Sequence, residues 1–556
     1  MNTKLQFRVL YRHFLFRLMD VELLSASAGG DSNVLLGRLG SLLIFGSLLS
    51  SYVALAVGAA ARESGLPAAL WGAERFVFSL TMLVVGVFAL LSWDSTFPDR
   101  RDVLVLAPLP VRARTLFAAK IAAAASALGL TLATWNSLAG FAWPLAMAPS
   151  SSGFAGTMRY VAAFWITLAA AGTFLYCVVL GLQAVTAQLP RSWYLRVSSV
   201  LQIALFALFL GVLFFQPSFP SVAALGAPEN QRALACLPPY WFLGLVSELS
   251  GVFPSEWHAV MAPLARRAVA SLPVAILIAG AAFALSYLRT LRKIVEESDI
   301  APGRRGGIWL PRFGSLPQTA VAQFVIRTLL RSRPHRTILA FYLGGGFAIV
   351  AVFLLGARDT QTRAPLLFAS VVMLCALWLG TRTVFSLPLD LRANWLFRVT
   401  PSPEGACCLS AVRRALLTLV LLPVLATTAV WLLFWPWALV TEHLLLLGLL
   451  GSVLADVALR GFRKIPFTCS YLPGKSKAHL VFWFGIIPLV AAIGQTVELE
   501  QRAMANALSY WAVAVTMGAA ALAARRITNV SATRSETHTQ FEESPSDELV
   551  TLGLNG

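Results

Sequence analysis

The sequence of 556 residues predicts an all-α integral membrane protein. About twelve transmembrane helices would form two six-helix parallel repeats, with interfacial amphipathic helices beside them. Composition is the first of three observations behind this. Hydrophobic residues make up 58%, charged residues 13%, and the mean hydropathy is +0.73. A soluble domain carries about 25% charged residues, and apolar surface on this scale does not stay dissolved. The second observation is that apolar runs of spanning length, about 20 residues, recur twelve times. The third is that the two halves repeat at a constant offset. The same composition excludes disorder for most of the chain, and sparse charge excludes a dense basic stripe for nucleic acid.

Residues 1–25 begin the first half with an interfacial helix. Phe7, Leu10, Phe14 and Leu18 share one face, with Arg8 and Arg12 elsewhere. No short apolar core or cleavage site marks a signal peptide. Six runs follow, at 41–60, 76–93, 121–147, 160–187, 197–216 and 268–288. Residues 217–267 form one long outer connection. Together these make a first half at 1–288. A linker at 289–317 is Pro/Gly-rich and basic around Ala301 to Gly307. The second half, 318–526, repeats the amphipathic start at 319–331. Its runs are 337–357, 364–386, 415–436, 437–459, 479–495 and 507–524. Residues 527–556 are Ser/Thr/Glu-rich and read as a disordered tail.

Charge tests this count. The net charge is +18, and 34 of the 44 Lys and Arg fall on alternate segments beginning with the N-terminal one. Those segments are therefore cytoplasmic, as are both termini, in a multi-pass protein of the plasma or inner membrane. Trp93, Tyr160 and Trp511 near run ends suit an aromatic belt.

The repeat is clearest after the second run of each half. Ala107-Pro108-Leu109-Pro110 precedes Lys120, ten residues beyond its last proline. Thr400-Pro401-Ser402-Pro403 precedes Arg413 at the same spacing, an offset of 293. Both halves start inside and hold six runs, so their orientation is the same.

Groups that carry chemistry are scarce. Asp456 lies within an apolar run, and Arg460 one turn later is its expected partner. The six His show no ligand spacing and no CxxC occurs, so no metal is expected. No GxSxG or HExxH motif occurs, and no catalytic cluster assembles. Leu472-Pro473-Gly474-Lys475-Ser476 resembles the end of a phosphate-binding loop, but Cys469 stands where the motif needs glycine. The chain thus carries no ATPase or cofactor site of its own.

Residues 94–120 are the most informative loop. Acidic and basic residues (Asp99, Arg100, Arg101, Asp102) precede an apolar patch ending at Leu106, then Pro108-Leu109-Pro110, then Lys120. A short helix on the inner face offering apolar and charged groups to a partner accounts for the patch. An interfacial helix without a partner accounts for it equally.

The order of amphipathic helix, two spans, this loop, and further spans with a long outer connection resembles the permeases of ATP-binding-cassette (ABC) exporters of the second type. The resemblance implies that Asp99 to Lys120 form a coupling helix seated in a separate cytoplasmic ATPase. Two copies of that ATPase would bind the ATP and Mg. It also implies re-entrant outer helices within 217–267. In the second half Pro401, Pro403, Glu404 and Arg413 take the corresponding places, without the Leu between the prolines. The expected function is the permease subunit of an exporter, not an enzyme. A twelve-span ion-coupled transporter or a non-transporting polytopic protein are the alternatives. Scarce buried carboxylates weigh against ion coupling. No residue identifies the substrate.

Overall fold

The computed structural model describes residues 3–19, 32–63, 67–97, 111–148, 153–215, 222–251, 257–296, 312, 314–356, 364–389, 394, 399, 405–430, 435–459, 465–468 and 492–533. Among these residues there are helices and no strands. The chain divides into two units, Met1–Gly303 and Arg304–Gly556.

The first unit contains α1 (Thr3–Met19), α2 (Ser32–Glu63), α3 (Pro67–Leu91), α4 (Ala113–Trp135), α5 (Ala139–Met147), α6 (Gly153–Ala187), α7 (Arg191–Phe215), α8 (Pro238–Ser250) and α9 (His258–Glu296). The second contains α10 (Leu316–Arg331), α11 (Arg333–Gly356), α12 (Ala364–Phe385), α13 (Gly405–Leu416), α14 (Leu422–Ala429), α15 (Trp437–Leu459), α16 (492–503) and α17 (Ala507–Thr533). A π-helical turn, Leu417–Leu421, joins α13 to α14.

Eight helical stretches are long and apolar enough to cross a membrane: Leu70–Leu91, Arg114–Trp135, Gly153–Ala187, His258–Tyr287, Leu366–Phe385, Cys407–Ala429, Trp437–Leu459 and Ala507–Val530. Shorter apolar stretches, Leu43–Tyr52, Val200–Leu213 and His335–Ala351, fall on the expected first, fifth and seventh runs. The expected eleventh run lies largely outside the described residues. α9 and α17 leave large apolar side chains uncovered, with Leu277 72% and Val515 66% exposed. In water such faces would aggregate; lipid covers them.

Two boundaries differ from the sequence reading. α17 continues past Arg526 to Thr533, into the segment expected to be a tail. The expected run 121–147 is two helices, because α4 ends at Trp135 and α5 starts at Ala139. A break within apolar surroundings frees backbone groups that need partners. Buried Asn136 supplies part of the answer: its Nδ2 donates to Leu132 O at 3.0 Å and its Oδ1 accepts from Thr81 Oγ1 at 2.8 Å. Ser47 Oγ accepts the Leu138 N–H at 3.2 Å. An apolar run conceals the break, since only polar atoms on other helices make it affordable.

The amphipathic starts find apolar partners. α1 lays Leu10, Phe14 and Leu18 into the unit and packs on α4. α10 buries Ala322, Val325, Ile326 and Leu329, a helical stripe, and packs on α13. Its start is set by Gln318, whose Oε1 accepts the Ser315 N–H at 3.3 Å.

α8 has 13 residues, too few to span. It is buried among α3, α6 and α9. Tyr240, Leu243 and Val246 join Phe78, Phe164 and Met261 in one core. Gly244 permits this: a Cβ there would stand 2.7 Å from Ala265 N, Leu264 Cβ and Met261 O. Two of these atoms are backbone, so α8 and α9 must part to admit a methyl group. Alanine favours an isolated helix by about 1 kcal/mol over glycine, but overpacking costs about 1–3 kcal/mol. Gly244→Ala is therefore expected to lower the unfolding free energy of the micelle-solubilised protein, measured by chemical denaturation. Unchanged or raised stability would show that the close approach is not a constraint.

Candidate functional site

Asp99, Arg100, Arg101, Asp102, Leu106, Pro108, Leu109 and Pro110 of the first expected coupling loop lie outside the described residues. So do Pro401, Pro403 and Glu404 of the second. What the structure places are the roots of both loops, including Lys120 and Arg413.

Lys120 is on the second turn of α4 and only 1% exposed. Its Nζ donates to Ser95 O at 2.6 Å and stands 4.6 Å from the centroid of the Phe14 ring. One side chain thus joins α1, α4 and the turn Trp93–Thr96 that follows α3. A buried ammonium needs this combination of an acceptor and an aromatic face. Just before that turn, the last carbonyls of α3 have no helical partners of their own. Gln183 Nε2 donates to Ala89 O at 3.1 Å and Gln202 Nε2 reaches Leu90 O at a long 3.5 Å. The point where the chain leaves α3 for the loop is therefore held by side chains of α4, α6 and α7.

Arg413 on α13 donates through Nη2 to Asp456 Oδ2 on α15 at 2.8 Å. Asp456 is thus paired with Arg413; Arg460, its expected partner, lies outside the described residues. α13 and α15 pack side by side, which brings a residue 43 positions away within reach. Gln318 of α10 donates to Ser410 Oγ at 2.9 Å and accepts from Arg414 at 3.2 Å, tying α10 to the same helix. Residues 465–468 cross the end of α12. Phe467 N–H donates to Phe385 O at 3.4 Å and its carbonyl accepts from Leu389 N–H at 3.0 Å. Phe467 holds φ at 66°, which costs a bulky residue energy. His335 packs edge-on to its ring, with Nε2 3.3 Å from Leu387 O.

Two buried polar networks were not singled out from the sequence. In the first unit Trp143 Nε1 donates to Tyr160 Oη at 3.2 Å, and Tyr160 donates to Glu74 Oε1 at 2.9 Å. Glu74 is 2% exposed. Beside it, Arg75 donates to the Tyr240 hydroxyl and lies over its ring at 5.1 Å. Burial raises the Tyr240 phenol above its ordinary value, and the Arg75 cation opposes that rise. In the second unit His443 lies between Ser370 and Glu500. Glu74 and Glu500 fall just outside the apolar runs 76–93 and 479–495, where charges are ordinary. Helical continuation to Pro67 in α3, and through 492–503 in α16, carries them into the packed interior.

Among the described residues no group of three His, Cys, Asp or Glu could hold a metal ion. No protein-family model matches the sequence, and no curated protein or solved structure matches it.

Removing one partner of a buried ion pair strands the other charge, at about 3–5 kcal/mol. Arg413→Ala is expected to destabilise the second unit on that scale in denaturant titrations. Arg413→Met combined with Asp456→Leu should recover most of the loss, because two apolar side chains leave no stranded charge. A double variant no better than the single one would mean that the pair is not the source of the stability.

Proposed function

We propose that this chain is the permease subunit of an ABC exporter, with its two halves forming parallel six-span repeats. A separate cytoplasmic ATPase, in two copies, binds ATP and Mg and docks on the loops that run from α3 to α4 and from α12 to α13. Both termini are cytoplasmic on this reading. The observation that supports it best is the Lys120 anchor. Lys120 ties the root of the first loop to α1 and α4 at once, so a push on the loop is delivered to three helices rather than lost in a slack connection. The second loop root has a half-buried cation, Arg413, at the same spacing from its prolines. The short helix α8, which lies within 217–267 and is too short to span, supports the re-entrant outer helices that the resemblance implies.

The buried carboxylates of Glu74, Asp456 and Glu500 favour a second reading, an ion-coupled transporter. A protonophore separates the two: transport that stops while ATP stays high supports ion coupling.

Co-purification tests the main reading. The intact chain is expected to retain an ATPase with a complete phosphate-binding loop. Reversing the charges of Asp99, Arg100, Arg101 and Asp102 together should release it, as should Leu106→Asp. An ATPase retained in every variant overturns the coupling-loop assignment. Lys120→Ala should leave the ATPase bound but reduce its stimulation by the permease several-fold.

Orientation has its own test. Cys236 is exposed, in the segment proposed to lie outside, whereas Cys407 is half-buried and Cys408 buried at the other side. In intact cells an impermeant maleimide should label Cys236 and neither of the others. Protection of Cys236 with labelling of Cys407 would reverse the topology.

A further inference from the structure

Ser370 lies on α12, His443 on α15 and Glu500 on α16, so the three meet only in the folded second unit. His443 Nε2 is 2.7 Å from Ser370 Oγ, and Nδ1 is 2.5 Å from Glu500 Oε1. Their exposures are 4%, 2% and 6%. The residues one turn away on α15 and α16, Val440, Leu446, Leu447 and Val497, are buried aliphatics.

The hydrogen bonds count the protons. Ser370 Oγ donates to Leu367 O at 2.8 Å, and a carbonyl can only accept. The hydroxyl has one proton, so towards His443 it acts as acceptor and Nε2 carries a hydrogen. The contact between Nδ1 and Glu500 then holds one more proton. Placed on either atom, it leaves the pair neutral: imidazolium with carboxylate, or imidazole with carboxylic acid. Losing it strands a negative charge among aliphatic side chains. Adding a second strands a positive one. Both are costly in such surroundings.

Among the described residues, the neighbouring titratable groups have other partners or lie elsewhere on their helices. Tyr510 on α17 gives its hydroxyl hydrogen to Glu442 O at 3.1 Å. Glu442 belongs to α15, and its carboxylate is half-buried. Arg502 of α16 pairs with Glu498 on the exposed side. α12 carries Cys375 and, two turns further on, Arg382. α14 has no titratable residue.

We propose that Ser370, His443 and Glu500 form a proton-binding site that holds one proton and thereby keeps α16 seated against α12 and α15. The proposal is independent of the transport reading. A solvated His and Glu hold one proton between them only from about pH 4.3 to about pH 6.5. Above that window the opened site has released the proton that the closed site keeps. Closure therefore weakens as pH rises, by up to about tenfold per pH unit. Below the window the opened site takes a second proton, and closure weakens as pH falls.

Hydrogen exchange of the full-length protein in micelles reads this directly. After correction for intrinsic exchange, protection of the amides in 492–503 should fall about tenfold per unit between pH 6.5 and 8.5. In Glu500→Gln, which has no carboxyl proton to lose, protection should be flat over that range. The double variant His443→Gln, Glu500→Gln, which has neither titrating group, serves the same purpose should the first variant not fold. Peptides from α10, whose only ionisable side chains are arginines, provide the reference and should show no such slope. A flat profile in the unmodified chain overturns the proposal, and so does a Glu500→Gln profile that keeps the slope. A purely packing role for the three residues would lower protection in the variants equally at every pH.

Discussion

Apolar helices without water must satisfy their own polar groups, and this constraint decides where the chain can bend and where it can hold a charge. At the end of α3 the carbonyls of Ala89, Leu90 and Ser95 are met by Gln183, Gln202 and Lys120. At the break after α4, Asn136 and Ser47 meet backbone groups, and Thr81 holds the Asn136 side chain. In the second unit the end of α12 is met by Phe467 and His335. Each site brings together residues far apart in sequence, because a helix end inside the bundle can be satisfied only from neighbouring helices. Irregular backbone therefore sits where polar side chains converge, and two of those places, the ends of α3 and α12, are where the proposed coupling loops depart.

The two anchoring cations show how residue chemistry matches the acceptor. Lys120 is a compact charge with rotatable donors, and it meets single carbonyl and ring partners near a helix terminus. Arg413 carries a planar fork and meets a carboxylate. The ten-residue spacing from the preceding prolines locates both cations in the sequence. It does not reveal their partners, which depend on how α1 packs on α4 and α13 on α15.

Legibility followed periodicity. The stripe of Leu10, Phe14 and Leu18 was readable because it repeats on one helical face, and most apolar runs coincide with long helices for the same reason. The break at Asn136 was hidden, since apolar residues continue on both sides of it. Asp456 was visible as a charge inside a run, but Arg413 as a partner was not, because 43 positions separate the two and only the packing of α13 on α15 joins them. Glu74, His443 and Glu500 were harder. The two acids border their runs, where the membrane interface accepts charge, and a single histidine in an apolar stretch gives no sign of a hydrogen-bonded pair. The residues between the loop roots, including Asp102 and Leu106, were readable as a motif alone.

The same helices carry both kinds of site. α3 has Glu74 near its start and its anchored carbonyls at its end; α12 has Ser370 near its start and the Phe467 contact at its end. An α-helix rises 1.5 Å per residue and is stiff over such lengths, so Glu74 and Leu90 stand about 24 Å apart on one rod. Tilting the anchored end must displace the other end relative to its partners, Tyr160 on α6 or His443 on α15. A buried hydrogen bond tolerates only tenths of an ångström before it weakens, and it has no water to turn to. A permease driven from the loops would therefore feel its load first in these two networks. ATP-driven tilting and proton occupancy are then not rival accounts of the polar interior. The first would supply displacement at one end of the helix, and the second would set the resistance at the other.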